Sequence, residues 1–196
     1  MMEFTTDELP VGARGKRALG FAGLLTLIAT EGALFGYLLV SYYYLAAQST
    51  ESWPPDGLPK LGIGAVNTAI LLGSSAVAWL AERLLKKRQR VASMAVLSIA
   101  ILMGITFAAV QLHEWRGKPY SLVSNQYGSL YFTITGFHLA HVVVGLVVLS
   151  FLLLWIKLGY IDERRMYALT IGGMYWHFVD AVWLFVFTTF YLTPYF

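Results

Sequence analysis

The stretch from residue 119 to 156 holds no Asp, Glu, Lys or Arg, and it is one of several such gaps along the chain. Residues 18–30 and 32–50 are also uncharged, separated only by Glu31. The same holds for 61–81, 91–113, 166–179 and 181–196, with Asp180 alone between the last two. A helix rises 1.5 Å per residue, so about 20 apolar residues cross the roughly 30 Å of bilayer hydrocarbon. The gaps predict five spans, near Leu19–Leu45, Leu61–Leu85, Val91–Leu112, Tyr127–Ile156 and Tyr167–Leu192. A membrane barrel would instead show ~10-residue segments of alternating polarity. The fold class is therefore all-α, a polytopic membrane bundle of five transmembrane helices.

Composition agrees. Only 13% of the 196 residues are charged, against roughly 25% in a typical soluble domain. The absence of cysteine excludes a disulfide scaffold, a CxxC redox pair and thiolate metal sites. The net charge of +3 does not point to nucleic acid, because the basic residues alternate between loops. Arg14, Lys16 and Arg17 precede span 1. Arg83, Lys86, Lys87, Arg88 and Arg90 join spans 2 and 3, and Lys157, Arg164 and Arg165 join spans 4 and 5. These are eleven of the 14 basic residues; Lys60, Arg116 and Lys118 fall on the other side. Positive charge stays cytoplasmic, which predicts the N-terminus inside and the C-terminus outside, periplasmic or extracellular. The run Arg83–Arg90 flanks the membrane, within reach of anionic headgroups. Residues 1–17 read as a cytoplasmic tail and 18–196 as one transmembrane domain. The tail begins polar and acidic, so span 1 reads as a retained signal anchor rather than a cleaved leader. No internal repeat of the inverted-transporter kind is evident. Tyr42, Tyr43, Tyr44, Trp53, Trp115, Tyr120, Trp155 and Tyr160 fall near span ends, as an interfacial aromatic belt would.

Polar residues within the spans carry the functional information. Glu31 lies about thirteen residues into span 1, and Asp180 at similar depth in span 5. A charge at mid-bilayer costs about 2.5–3.5 kcal/mol on insertion scales, so such residues usually face protein and serve a function. Each reads as a proton-accessible acid or as an acid bonded to a neighbouring helix; the structural role is favoured for Asp180. His177 precedes Asp180 by three residues, which puts both on one helical face within reach of a shared hydrogen bond. His138 and His141 repeat the spacing in span 4. Such pairs could ligate a metal or, across helices, a haem, but interhelical hydrogen bonding explains them more simply. His113 and Glu114, at the outer end of span 3, read as wet polar residues. Gly32–Gly36, Ala69–Gly73 and Gly136–Ala140 have the small-xxx-small spacing of close helix contacts, and the ridge beside Glu31 is expected to pack on protein.

These residues fall in recognisable motifs. The run Tyr175-Trp176-His177-Phe178-Val179-Asp180-Ala181-Val182-Trp183-Leu184-Phe185 closely resembles the last-helix signature of subunit III of haem-copper oxidases. Tyr127-Gly128-Ser129, Thr135-Gly136-Phe137-His138, His141 and Gly145 resemble that family's preceding helix. Gln111 and Glu114, with Trp115, are similar to its Gln-x-x-Glu-aromatic element. Trp53-Pro54-Pro55 followed by Asn67-Thr68 is similar to a loop-and-helix segment. Thr30-Glu31 ahead of Leu34-Phe35 resembles its buried-acid helix. The resemblance runs in order from about residue 17 to 193. Thr30 stands where the family has Ser, and Leu139-Ala140 where it has Gly-Leu; neither disturbs the assignment.

The resemblance implies a subunit of a cytochrome c oxidase, a respiratory complex that carries electrons from cytochrome c to oxygen and translocates protons. It implies that this chain carries no haem, copper or other metal, these belonging to partner subunits, and that it packs on subunit I, with subunit II and subunit IV in the same complex. It makes membrane phospholipid a bound component in the cleft of longer, seven-helix members. This chain resembles the short five-helix bacterial form of the plasma membrane. The family's carbodiimide-reactive acid maps onto Glu31, and its role is to sustain proton uptake, oxygen access and turnover stability in subunit I. His177 and Asp180, with His138, His141 and Glu114, are expected to form a structural polar clamp. Rival readings are the same subunit in a quinol oxidase, the homologue accompanying nitric oxide reductases, a stand-alone proton-coupled transporter using Glu31 and Asp180, and a bis-histidine haem protein.

Overall fold

The computed structural model describes residues 19–50, 52–55, 57–161 and 166–196. The tail 1–17, with Arg14, Lys16 and Arg17, and the pair Arg164 and Arg165 lie outside the described residues. Five helices account for nearly all the rest: α1 Leu19–Gln48, α2 Leu61–Lys86, α3 Arg90–Arg116, α4 Gln126–Leu158 and α5 Met166–Phe187. All five are long and apolar enough to cross a membrane, α5 together with a π turn Thr188–Leu192 and a 3-10 turn Thr193–Tyr195 that prolong it. No strand occurs among the described residues. The expected spans sit inside these helices, which run a few residues further at several ends.

Local chemistry sets the ends. Asn125 caps α4, its side-chain oxygen accepting from the Gly128 amide at 2.7 Å, which satisfies one of the orphan amides of the first turn. Gly159 closes α4 at φ +80°, and the Arg90 guanidinium sits against it. That backbone suits glycine because a Cβ is penalised in the left-handed region. Arg90 also donates to the Lys157 carbonyl at 2.7 Å, placing a cation at the negative end of α4.

Helices α2 to α5 close a four-helix ring in which each packs on its sequence neighbour and α5 returns to α2; α1 lies in the groove between α4 and α5. The centre is organised by Trp176, which is fully buried. Its ring lies against Gly104 of α3 and Gly145 of α4, where an added Cβ would come within 2.8 and 2.6 Å of it. Its indole N–H donates to Ser74 of α2 at 3.0 Å. One side chain thus locks three neighbouring helices. Trp183 does the same about two turns on, donating to Thr68 of α2 at 2.9 Å and packing edge-on against Phe107 of α3. Ser93 reaches the Ala81 carbonyl at 2.8 Å, and Asn67 the Phe107 carbonyl at 3.3 Å. With no hydrophobic drive between helices in lipid, such close packing and polar cross-links hold the bundle together.

Two expectations are revised here. Tyr42, Trp53 and Tyr120 are not an exposed belt: with Tyr127, Tyr131 and Phe190 they form one packed aromatic cluster under the α1–α2 loop. The Gly32–Gly36 ridge is only half covered. Gly32 approaches Phe178, whereas the space beside Gly36 is open. The Ala69–Gly73 pair does mark a close approach, since a Cβ on Gly73 would meet Met103 of α3 at 2.9 Å.

Candidate functional site

The membrane-depth acid of α1 pairs with a histidine of α4. Glu31 Oε2 lies 3.1 Å from His141 Nε2, and Glu31 is the thirteenth residue of a 30-residue helix. The other ring nitrogen fixes the proton arithmetic. His141 Nδ1 lies 2.7 Å from the Phe137 carbonyl, which can only accept, so Nδ1 carries a hydrogen. One further proton then lies between Nε2 and Oε2. Whether it rests on the imidazole or on the carboxyl, the pair is neutral as a unit, which suits its depth. Tyr175 of α5 donates to the His141 carbonyl at 3.3 Å, and Phe35 meets the ring edge-on. The pair is not sealed: the Glu31 side chain is 31% exposed and His141 16%.

His138, one turn earlier in α4, points elsewhere. Its Nε2 lies 3.2 Å from the Val179 carbonyl of α5, so that nitrogen donates. The ring is fully buried against Phe107 and Trp183. The two histidines of α4 therefore tie it to two different helices.

His177 and Asp180 also diverge. His177 Nδ1 is hydrogen-bonded to Ser75 of α2. Asp180 is buried beside the same serine, and neither of its oxygens takes a hydrogen bond among the described residues. His177 thus adds a bond to Ser75 to the α2–α5 links already made by Trp176 and Trp183, and it forms no shared bond with Asp180. Toward the basic end, Glu82 of α2 adds two contacts that the sequence reading overlooked. It accepts from Thr170 of α5 at 2.7 Å and pairs with Lys86 at 2.7 Å. A serine pair at 74–75 and a lone acid one turn from a helix end were the available signals.

Glu114 is corrected from a wet residue to a largely buried one. Its Oε1 accepts from Lys118 at 2.8 Å and from the Tyr191 hydroxyl at 2.7 Å. The Lys118 ammonium lies over the Tyr131 ring at 4.9 Å from its centre. Tyr191 from the far end of the chain and Lys118 one turn on cover Glu114, while His113 stays exposed. Among the described residues no group of three His, Cys, Asp or Glu side chains is placed to hold a metal ion.

The family model for cytochrome c oxidase subunit III matches residues 15–195. Cytochrome c oxidase subunit 3 of the hagfish Myxine glutinosa is 33% identical over 184 residues, 90% of this chain and 70% of the relative. The subunit 3 proteins of Danio rerio and Pongo pygmaeus are 33% and 31% identical over 176 residues, 86% of this chain and 67% of each relative. Five membrane-spanning helices, the acid–histidine pair and near-complete coverage by one family model lead to one assignment: the chain belongs to the cytochrome c oxidase subunit III family and is a polytopic membrane subunit of an oxidoreductase complex.

Proposed function

We propose that this chain is the non-redox subunit III of an aerobic respiratory terminal oxidase in a bacterial plasma membrane, carrying no haem or copper itself. It packs on subunit I, beside subunits II and IV, and supports proton uptake, oxygen access and turnover stability while electrons pass from cytochrome c to oxygen. The N-terminus faces the cytoplasm, in keeping with Arg83, Lys86, Arg90 and Lys157 all lying at one end of the bundle. Phospholipid is its non-protein companion. The reading in favour of cytochrome c over quinol rests on the relatives, which are named cytochrome c oxidase.

The observation that carries the role is the Glu31–His141 pair: one shared proton at membrane depth on a half-open face. Shifting that proton between Oε2 and Nε2 leaves the net charge unchanged, so the pair can hold it in hydrocarbon at low cost. The Phe137 carbonyl keeps the ring in register for the exchange, and Tyr175 holds the His141 backbone. The test is Glu31→Gln in the assembled oxidase. Assembly and haem content stay intact, whereas sustained turnover or proton uptake falls. A variant that turns over, takes up protons and survives like the wild type makes Glu31 structural and overturns this role.

A further inference from the structure

Helices α2 and α5 meet along a polar seam in which α1 and Glu31 take no part. On α2, Ser75, Ala78, Glu82 and Lys86 follow at steps of three and four, and on α5 so do Thr170, Gly173, His177 and Asp180. Such steps keep each set on one helix face. The basic end of the seam is joined: Glu82 accepts from Thr170 at 2.7 Å and pairs with Lys86. So is the deep end, where His177 bonds Ser75 and Asp180 lies beside the same hydroxyl. Between the two ends stand only small residues, Ala78 and Gly173. A Cβ added to Gly173 would meet nothing within 4 Å but Glu82 Oε2, at 3.9 Å, so there is room on the way from Glu82 to His177. Asp180 closes the seam. It is 3% exposed, and neither carboxyl oxygen takes a hydrogen bond among the described residues. An ionised carboxylate there would be a buried charge without a partner, which is costly; the protonated acid avoids that charge and keeps a hydrogen to give.

We propose that Asp180 is a proton-holding site of this chain, a neutral acid that exchanges its proton with water at the basic end of the bundle along the α2–α5 seam. Going out, Asp180 gives its proton to the Ser75 oxygen, Ser75 passes its own hydrogen to His177 Nδ1, and Nε2 releases one to water. Coming back, water returns a proton to Nε2, Nδ1 gives its hydrogen to Ser75, and Ser75 hands one to Asp180. A hydroxyl and a neutral imidazole can each donate and accept, so both relay without net change. The round trip restores every atom and charge. Glu82 lies near enough for its charge to act on the imidazole, which favours the cation formed midway. This site goes beyond the role proposed for Glu31 and shares no residue with it.

Infrared difference spectra of the membrane-embedded complex, recorded while light water is replaced by heavy water, test this directly, because deuteration lowers the C=O stretch of a carboxylic acid. The expected record contains an acid band that shifts in heavy water, vanishes in Asp180→Asn and moves in Asp180→Glu; the second variant secures the assignment if the first assembles poorly. Gly173→Leu fills the space between Glu82 and His177 and should stop the shift over the time in which the wild type completes it. Gly62→Leu adds the same bulk where nothing lies within 4 Å and should leave the shift unchanged. A wild-type spectrum with no acid band that responds to the Asp180 variants means an ionised Asp180 and overturns the site. A band that stays in place in heavy water, or that shifts equally fast in Gly173→Leu, overturns the exchange along the seam.

Discussion

Glu31 of α1 and His141 of α4 meet at 3.1 Å with the remote nitrogen of the same imidazole committed to the Phe137 carbonyl at 2.7 Å. The two residues therefore share one proton and act as one unit rather than two. His141→Ala and Glu31→Gln should impair the oxidase in the same way, and the double variant should be no worse than the more severe single one. In stability terms the coupling should be about 0.6 kcal/mol and no more than about 1.7, the span measured for polar pairs in membrane bundles. A double-mutant cycle on sustained turnover and on thermal stability checks this; simple additivity would separate the residues.

Gly145 is occupied space. An added methyl would sit 2.6 Å from Trp176, which is itself held against Gly104 and Ser74. Gly145→Ala should destabilise the subunit by about 1–3 kcal/mol through overpacking. Gly62→Ala, with nothing within 4 Å, should be neutral or slightly stabilising. Thermal unfolding followed by helical signal distinguishes the two.

Thr68 accepts the Trp183 indole N–H at 2.9 Å inside the bundle. Thr68→Val keeps the shape and removes the acceptor, leaving a buried donor unsatisfied at a cost of about 1–3 kcal/mol. Thr68→Ser should restore most of the loss. Equal stability of the Val and Ser variants would show that the hydroxyl contributes little.

The Glu114–Lys118 pair is 11 and 14% exposed. Glu114→Gln leaves the Lys118 ammonium without its carboxylate and should cost more than replacing both residues by Gln and Met, because an unpaired buried charge is worse than none. The Tyr131 ring beneath the ammonium softens the loss, so the single variant should fall by about 1–3 kcal/mol, read as a thermal shift.

Much of this fold was legible. The uncharged gaps mark all five helices because hydrocarbon excludes charge, and Glu31 stood out for the same reason. The partners of the polar side chains were less so. His138 and His141, one turn apart, diverge because a three-residue step rotates the side chain by about 60°, enough to reach α5 in one case and α1 in the other. His177 and Asp180 share the right spacing, yet Ser75 competes for the histidine, and a serine pair in an apolar run marks a polar contact without saying which helix each hydroxyl meets. Glu114 looked wet because its cover comes from residues far along the chain, Tyr191 above all. Spacing describes one helix; burial is decided by several.

The proposed membership of a cytochrome c-oxidising complex is tested most directly by the redox difference spectrum of the complex purified through a tag on this chain. The expected result is haem-bearing partner subunits in the preparation, reduction of their haems by cytochrome c, and oxygen consumption. A chain that purifies alone, or that shows a Soret band of its own once its partners are removed, would contradict it.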